Sequence, residues 1–130
     1  MMQILQPSGW VRPKGYANGI AARGTMIFIS GQFGWDAEEK LVSDDYAEQA
    51  IQALTNIVTI LEQAEAGPEH LVRLTWYVSD REAWLAAAKT VGRAYRELIG
   101  HFPVMSTFQV VTLMVPGAKV QIEATAVVPD

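Results

Sequence analysis

Residues 71–82 read LVRLTWYVSDRE, and the hydrophobic pattern changes its period within this stretch. From Val72 to Val78, apolar residues occupy every second position, which predicts a half-buried β-strand. Ser79 and Glu82 then have the spacing of a capping box, which indicates the start of a helix. A strand is therefore predicted to lead directly into a helix at this point of the chain.

The helix that begins here is predicted to continue to Gly100, because apolar residues recur at helical spacing. They are Trp84, Ala87, Ala88, Val91, Tyr95, Leu98 and Ile99. Two further strands are predicted at about Met105–Val111 and Val120–Val128, separated by a turn at Pro116-Gly117. The strand-helix-strand order implies a right-handed crossover between neighbouring strands.

An earlier helix is predicted between Ser43 and Gly67-Pro68. Its apolar stripe consists of Ala47, Ala50, Ile51, Leu54, Ile57, Val58 and Leu61. Ser43 is the predicted N-cap, and Asp44 and Asp45 complement the positive end of the helix dipole. Before this helix, Met26–Ile29 is a β-prone run that we expect to end in a loop at the glycines of residues 31–34.

These elements predict a single domain over residues 1–130. The expected fold class is α/β, an α+β sandwich in which two helices pack on one face of a mixed sheet. A chain of 130 residues has room for only one core. Since half of the residues are hydrophobic, we also expect apolar surface to remain for subunit contacts.

Composition excludes several classes of function. The chain has no cysteine, which rules out disulfides, thiolate zinc sites and cysteine nucleophiles. The net charge of −4 argues against nucleic acid as a partner, because binding to phosphates normally requires a clustered positive surface. No signal peptide, membrane span, metal site or cofactor motif is recognised, so we expect a cytoplasmic protein without a cofactor or membrane partner.

Five segments, in order and at nearly the expected spacing, resemble the Rid family of reactive-intermediate deaminases, the YjgF-like group. They are Gly15-Tyr16, Ile29-Ser30-Gly31-Gln32, the helix that contains Gln49, Leu54 and Asn56, the strand end Tyr77-Val78-Ser79-Asp80, and residues 103–126. The resemblance implies a chorismate-mutase-like sandwich assembled as a homotrimer. It also implies that a small-molecule metabolite binds in clefts between adjacent subunits.

The resemblance assigns binding roles to residues in several parts of the chain. Tyr16 matches a tyrosine that reaches over the ligand from a neighbouring subunit, and Ser30 and Gly31 match the adjacent backbone segment. Trp35, just after the glycine-rich stretch, is either a roof of the cleft or a packing residue. Gly92 stands where an asparagine is common, so one polar contact is missing.

Three other cleft positions depart from the pattern of the deaminating members. Met105 stands where an arginine grips the substrate carboxylate, and Thr107 stands where bacterial members often have cysteine. Gln121 replaces a glutamate that helps to position water. Glu123 shares the face of Gln121 on an alternating strand, and is either a second catalytic carboxylate or a structural residue at the subunit contact.

Two classes of function remain. The first is a Rid-like enamine or imine deaminase that acts on a substrate other than small 2-imino acids, with Gln121 and Glu123 as catalytic residues. A thioether cannot replace the bidentate donors of arginine, so little activity is expected on small imino acids. The alternative is a non-catalytic trimer that binds a small molecule or has a regulatory role. RNA cleavage is disfavoured by the acidic charge balance.

Overall fold

The computed structural model describes residues 2–130. It contains six strands: β1 (Met2–Leu5), β2 (Gly19–Ala22), β3 (Thr25–Phe33), β4 (Leu71–Val78), β5 (Val104–Gln109) and β6 (Val120–Val128). The α-helices are α1 (Tyr46–Gln63), α2 (Arg81–Ala86) and α3 (Ala88–Leu98), and a 3-10 turn (Pro68–His70) precedes β4. The α/β class and the mixed sheet predicted from the sequence are confirmed.

The central sheet has four strands in the order β3-β6-β4-β5. The β4–β5 pair is parallel, as the predicted crossover requires, and the other two pairs are antiparallel. A separate two-stranded antiparallel sheet joins β1 to β2, which the residue pattern did not predict. Its pairing of Leu5 with Gly19 depends on a contact between distant residues rather than on local periodicity.

The core lies between one face of the sheet and the helices. Side chains that are fully buried include Leu54, Ile57 and Leu61 of α1, together with Val120 and Ile122 of β6. Helix α1 packs on β3 and β6 and also contacts α3, so the helices form a second layer. Burying a leucine or isoleucine side chain of this kind contributes about 1.5–3 kcal/mol.

The opposite face of the sheet is not covered by any described element. It carries Phe28 and Phe108, which are 73% and 52% exposed, as well as the exposed Met26. Phe108 stacks on Tyr77 of the neighbouring strand, with ring centroids 6.0 Å apart. This face therefore presents exposed apolar side chains.

Two predicted helix starts are corrected by the structure. Asp45, not Ser43, is the N-cap of α1, because its carboxylate accepts a hydrogen bond from the backbone N–H of Glu48. Ser43 instead accepts from the N–H of Asp45. At the next helix, the cap is Asp80 rather than Ser79, since the Asp80 carboxylate accepts from the Glu82 N–H.

Other predicted boundaries also change. The stretch predicted as one helix up to Gly100 is divided at Ala87, which ends α2 and precedes α3. Strand β3 does not end at Gly31 but runs through it to Phe33, because a bulge between Ile29 and Gln32 takes up the additional residue. Strand β5 ends at Gln109, two residues before the predicted end.

Candidate functional site

A cavity of about 400 Å³ lies beside α3 and the β4–β5 edge of the sheet. It is lined mainly by aromatic and apolar side chains, and we refer to it as the aromatic cavity. Its lining residues are Gly15, Tyr46, Trp76, Trp84, Ala88, Val91, Gly92, Tyr95, Arg96, Phe102, Met105 and Thr107. A largely apolar hollow of this size with a few polar groups is typical of a small-molecule site.

Three of the residues predicted from the sequence meet in the aromatic cavity. Met105 and Thr107 lie on β5, where they pair with Leu74 and Trp76 of β4. Alternate residues of a strand point to the same side, so both face the helix layer. Gly92 of α3 also lines the cavity. The three positions at which the sequence is predicted to differ from the family pattern, 92, 105 and 107, therefore surround one cavity.

A second group of predicted residues lies on the uncovered face of the sheet. Gln121 and Glu123 pair with Tyr77 and Thr75 of β4, one residue out of phase with the core positions of β6. A Cβ atom on Gly31 would collide with the side-chain amide of Gln121, so that amide lies directly over the bulge in β3. The absence of a side chain at Gly31 is what makes this approach possible.

Glu123 has a defined hydrogen-bond partner on this face. The Tyr77 hydroxyl donates to its Oε1 over 2.9 Å, and this bond raises the pKa of Tyr77 above its ordinary value. Glu123 and Ser30 also line a surface hollow of about 440 Å³, together with Phe28 and other residues of the uncovered face. The carboxylate is therefore held in position on the side of the sheet away from the aromatic cavity.

The remaining two predicted residues lie elsewhere in the chain. Tyr16 is partly exposed and lines a hollow beside the 6–17 loop; Phe102 borders both this hollow and the aromatic cavity. The ring of Trp35 packs against Phe33, with centroids 5.0 Å apart, and its carbonyl accepts a hydrogen bond from Asn56. Trp35 thus makes a packing contact within its own chain.

One wall of the aromatic cavity is built by aromatic stacking. The rings of Tyr95 and Phe102 are stacked with centroids 5.4 Å apart, and the Tyr95 hydroxyl donates to the carbonyl of His101 over 2.6 Å. A ring nitrogen of His101 is in turn 2.8 Å from the carbonyl of Leu71. Burial raises the pKa of Tyr95 above its ordinary value.

Arg96 and Trp76 are polar members of the cavity that the sequence pattern did not single out. Arg96 lies four residues after Gly92 on α3, and this helical spacing is the only signal that connects the two positions. Trp76 of β4 is only 5% exposed, and its buried indole nitrogen has no hydrogen-bond partner among residues 2–130.

A larger hollow of about 590 Å³ lies at the N-termini of α1 and α2. Its polar lining includes Asp45 and Asp80, whose carboxylates already cap those helices. Lys119, also in its lining, donates to the carbonyl of Asp44. None of the predicted site residues lines this hollow, and the side chains of Asp45, Asp80 and Lys119 already have structural partners.

Within the described part of the chain, no three potential ligands come together as a metal site. No helix of the described residues is both long and apolar enough to cross a membrane.

Comparison with known proteins identifies the class. The family model described as endoribonuclease L-PSP matches residues 11–128, which is most of the chain. A Rid-family protein of Yersinia pestis, YyfB, has a similar structure with a TM-score of 0.83 and 30% identity, over 98% of both chains. The chain therefore belongs to the Rid/YjgF/L-PSP family.

Particular relatives have named activities. The 2-iminobutanoate/2-iminopropanoate deaminase of Bos taurus is 39% identical over 103 residues, which are 78% of this chain and 72% of that protein. The deaminase of the same name from Salmonella typhimurium is 31% identical over 112 residues, or 86% of each chain. The family thus includes proteins named as imine deaminases.

Proposed function

We propose that the protein hydrolyses an imine or enamine other than the small 2-imino acids, in clefts between the subunits of a homotrimer. Its relatives that are named as 2-iminobutanoate/2-iminopropanoate deaminases support the reaction class. The observation that carries the difference in substrate is Met105 in the lining of the aromatic cavity. By resemblance, this is the position of the carboxylate-binding arginine.

The division of the predicted residues between two faces of the sheet supports a site shared by subunits. Met105 and Thr107 face the helix layer, whereas Gln121 and Glu123 face the uncovered side. A small ligand in contact with one group in a chain cannot also contact the other group across the sheet. A second subunit that places its uncovered face beside the cavity would bring both groups to one ligand.

The same uncovered face offers the surface for such a contact. Phe28, Phe108 and Met26 expose apolar side chains there, and burying them between subunits would remove apolar area from water. Gln121 is the second residue of β6 and lies on the same face of the sheet. An interface formed by this face would therefore place the Gln121 amide at the boundary between chains.

The reaction requires water to add to the carbon of a C=N bond, followed by departure of ammonia and formation of a carbonyl group. The iminium carbon is already electrophilic, so positioning of the water is the main requirement. The Gln121 amide can orient that water through a hydrogen bond but cannot act as a base at neutral pH. Glu123, held by Tyr77, is the carboxylate nearest in sequence on the same face of β6.

Without an arginine at position 105, small imino acids are expected to be poor substrates. A guanidinium pairs with a carboxylate through two parallel hydrogen bonds, and methionine offers only a weak acceptor. Charge-assisted hydrogen bonds contribute about 1.5–3 kcal/mol each, so turnover of small imino acids should be lower by on the order of 10²-fold.

The reaction is tested with imines generated in situ. An amino-acid oxidase supplied with a panel of amino acids releases the corresponding imines, and the rate of ammonia formation is measured with and without the protein. We expect acceleration for at least one bulky or unsaturated substrate and little for alanine. Uncatalysed rates for every member of the panel would contradict the proposed reaction.

The trimer is tested separately by light scattering in dilute solution. We expect the mass of three chains, because the ligand site requires surfaces from different subunits and the uncovered face is apolar. A monomer that stays folded at micromolar concentration would overturn both the trimer and the shared cleft.

A non-catalytic binding protein is the second candidate, and one observation favours it. The lining of the aromatic cavity contains no carboxylate and no imidazole, so one chain by itself supplies no general base there. If no imine is hydrolysed while a metabolite raises the melting temperature, the binding function is the correct one, since ligands of the native state stabilise it by mass action.

RNA cleavage is not supported by the arrangement of the two histidines in the sequence. A ring nitrogen of His70 accepts from the backbone N–H of Gly67 over 3.0 Å. A ring nitrogen of His101 contacts the carbonyl of Leu71 over 2.8 Å. Both imidazoles therefore have structural hydrogen bonds at the ends of β4 and β5, and neither lines the aromatic cavity.

A further inference from the structure

A second hollow lies directly beside the aromatic cavity. It has a volume of about 560 Å³ and is formed largely by the 6–17 loop, and we refer to it as the loop hollow. Gly15 and Phe102 line both the loop hollow and the aromatic cavity, so the two volumes meet at these residues. Beyond the two chain neighbours of Gly15, no heavy atom of residues 2–130 lies within 4 Å of the point where its Cβ atom would stand. The space beside Gly15 is therefore open.

The loop is attached to the strand that carries residues of the aromatic cavity. Ala17 is buried and forms an isolated parallel bridge with Val104. Met105 is the next residue of this strand and lines the aromatic cavity. The two ends of the loop are joined by a hydrogen bond of 2.8 Å from Nδ2 of Asn18 to Oε1 of Gln6. These contacts hold the loop hollow beside the aromatic cavity.

The walls of the loop hollow are mainly aromatic and apolar. Trp10, Tyr16 and Phe102 line it, and these side chains are 63%, 42% and 40% exposed. Partly exposed rings that cluster around one hollow are typical of a surface that binds a ligand or partner. Among the described residues that line the hollow, Arg12 alone is charged.

The positive charge of Arg12 is not neutralised by a carboxylate. Both ion pairs among residues 2–130 lie elsewhere in the chain, and Arg12 belongs to neither. Arg12 also lines an adjoining hollow of about 450 Å³ together with Lys14, so a second cation lies at the same end of the loop. Two cations at this place favour an anionic group of the ligand.

We propose that the loop hollow and the aromatic cavity form one cleft for an elongated ligand, with an apolar body in the aromatic cavity and an anionic group at the far end beside Arg12. The inference rests on the proposed function in taking the aromatic cavity as the ligand site. For the proposed reaction, it names the substrate class as an imine or enamine whose long side chain ends in an anionic group.

The proposal is tested with phenyl-substituted alkanoates of increasing length, from phenylacetate to 8-phenyloctanoate, and with their uncharged amides. Calorimetry on the native assembly gives the dissociation constant of each probe. We expect the preference for carboxylate over amide to increase with length and to reach about 5-fold, because only a long chain extends from the aromatic cavity to an exposed Arg12. Arg12→Gln should abolish this preference.

Two other arginine variants serve as controls. Arg23 is exposed and lines neither hollow, so Arg23→Gln changes the net charge equally without altering the cleft. Arg96→Gln tests the reversed orientation, in which the phenyl group occupies the loop hollow and the carboxylate lies in the aromatic cavity. We expect both variants to keep the length-dependent preference.

Trp10→Ala tests the apolar wall independently of charge. It should weaken binding of the longest carboxylate and of its amide alike, by several-fold, and leave phenylacetate binding unchanged. Val11→Ala is the matched control, since Val11 is 89% exposed and does not line the loop hollow. All of the substituted residues are exposed, so the melting temperatures of the variants should change little.

The proposal is wrong if affinity depends neither on length nor on Arg12, if Arg96→Gln rather than Arg12→Gln removes the preference, or if the native protein binds no probe of the series. Its failure is distinguishable from failure of the proposed function, because probe binding requires no turnover. Length-dependent binding through Arg12 without ammonia release from any imine would keep the cleft and favour the non-catalytic alternative. Hydrolysis of a bulky imine at the same rate in Arg12→Gln, without length-dependent binding, would keep the reaction and remove the loop hollow from it.

Discussion

Replacing Gln49 with leucine is expected to lower the free energy of unfolding by about 3 kcal/mol or more. Gln49 is fully buried on α1. Its Nε2 donates to the carbonyls of Ser43 and Gly117 over 2.8 and 3.1 Å, and its Oε1 accepts from the N–H of Lys119 over 2.8 Å. Leucine would leave three backbone groups without this partner. Chemical denaturation at one fixed protein concentration measures the change.

Gln63→Leu is the matched control for this prediction. Gln63 is the exposed last residue of the same helix, so the same change there should alter stability by no more than about 0.5 kcal/mol. If Gln49→Leu is as stable as the control, the hydrogen bonds by which Gln49 joins Ser43 to residues 117–119 do not contribute measurably to the stability of the fold.

The double variant Met105→Arg, Gln121→Glu is expected to hydrolyse 2-iminopropanoate on the order of 10²-fold faster than the native protein. The introduced arginine supplies paired donors for the carboxylate, and the introduced glutamate polarises water. In the proposed trimer these groups come to one ligand from different subunits. Each single variant should gain less, because one group holds the substrate and the other prepares the nucleophile.

Met105→Leu is the control for volume without charge and should leave this activity unchanged. Met105→Arg alone places a second guanidinium in the cavity lined by Arg96, so its melting temperature should fall unless an anion is bound. A double variant that assembles as a trimer but hydrolyses 2-iminopropanoate at the native rate would show that Met105 does not stand at the anchor position.

Local patterns predicted the elements with regular periodicity. The apolar stripe of α1 and the alternation in β4 both correspond to observed elements, because each pattern is set by burial on one face. The bulge in β3 and the division of the second helix at Ala87 were not predicted. The bulge depends on a contact between elements, since Gly31 accommodates the Gln121 amide.

The candidate site was predictable only in part. The resemblance located Met105, Thr107 and Gly92, which the structure places around one cavity. Arg96 has the sequence pattern of an ordinary solvent-exposed helix residue, and its side chain lines the cavity from the last turn of α3. Long flexible side chains can fold in several directions, so sequence spacing alone does not assign them to a cavity.

The placement of β5 at the edge of the sheet has a consequence for how this protein can diverge. Met105 and Thr107 lie on that edge strand, whereas the fully buried residues Ile122 and Leu54 lie in the central strand β6 and in α1. Substitutions at the edge disturb fewer packed neighbours, so they cost less stability than central ones. Selection can therefore alter the lining of the aromatic cavity while the folding determinants stay constant.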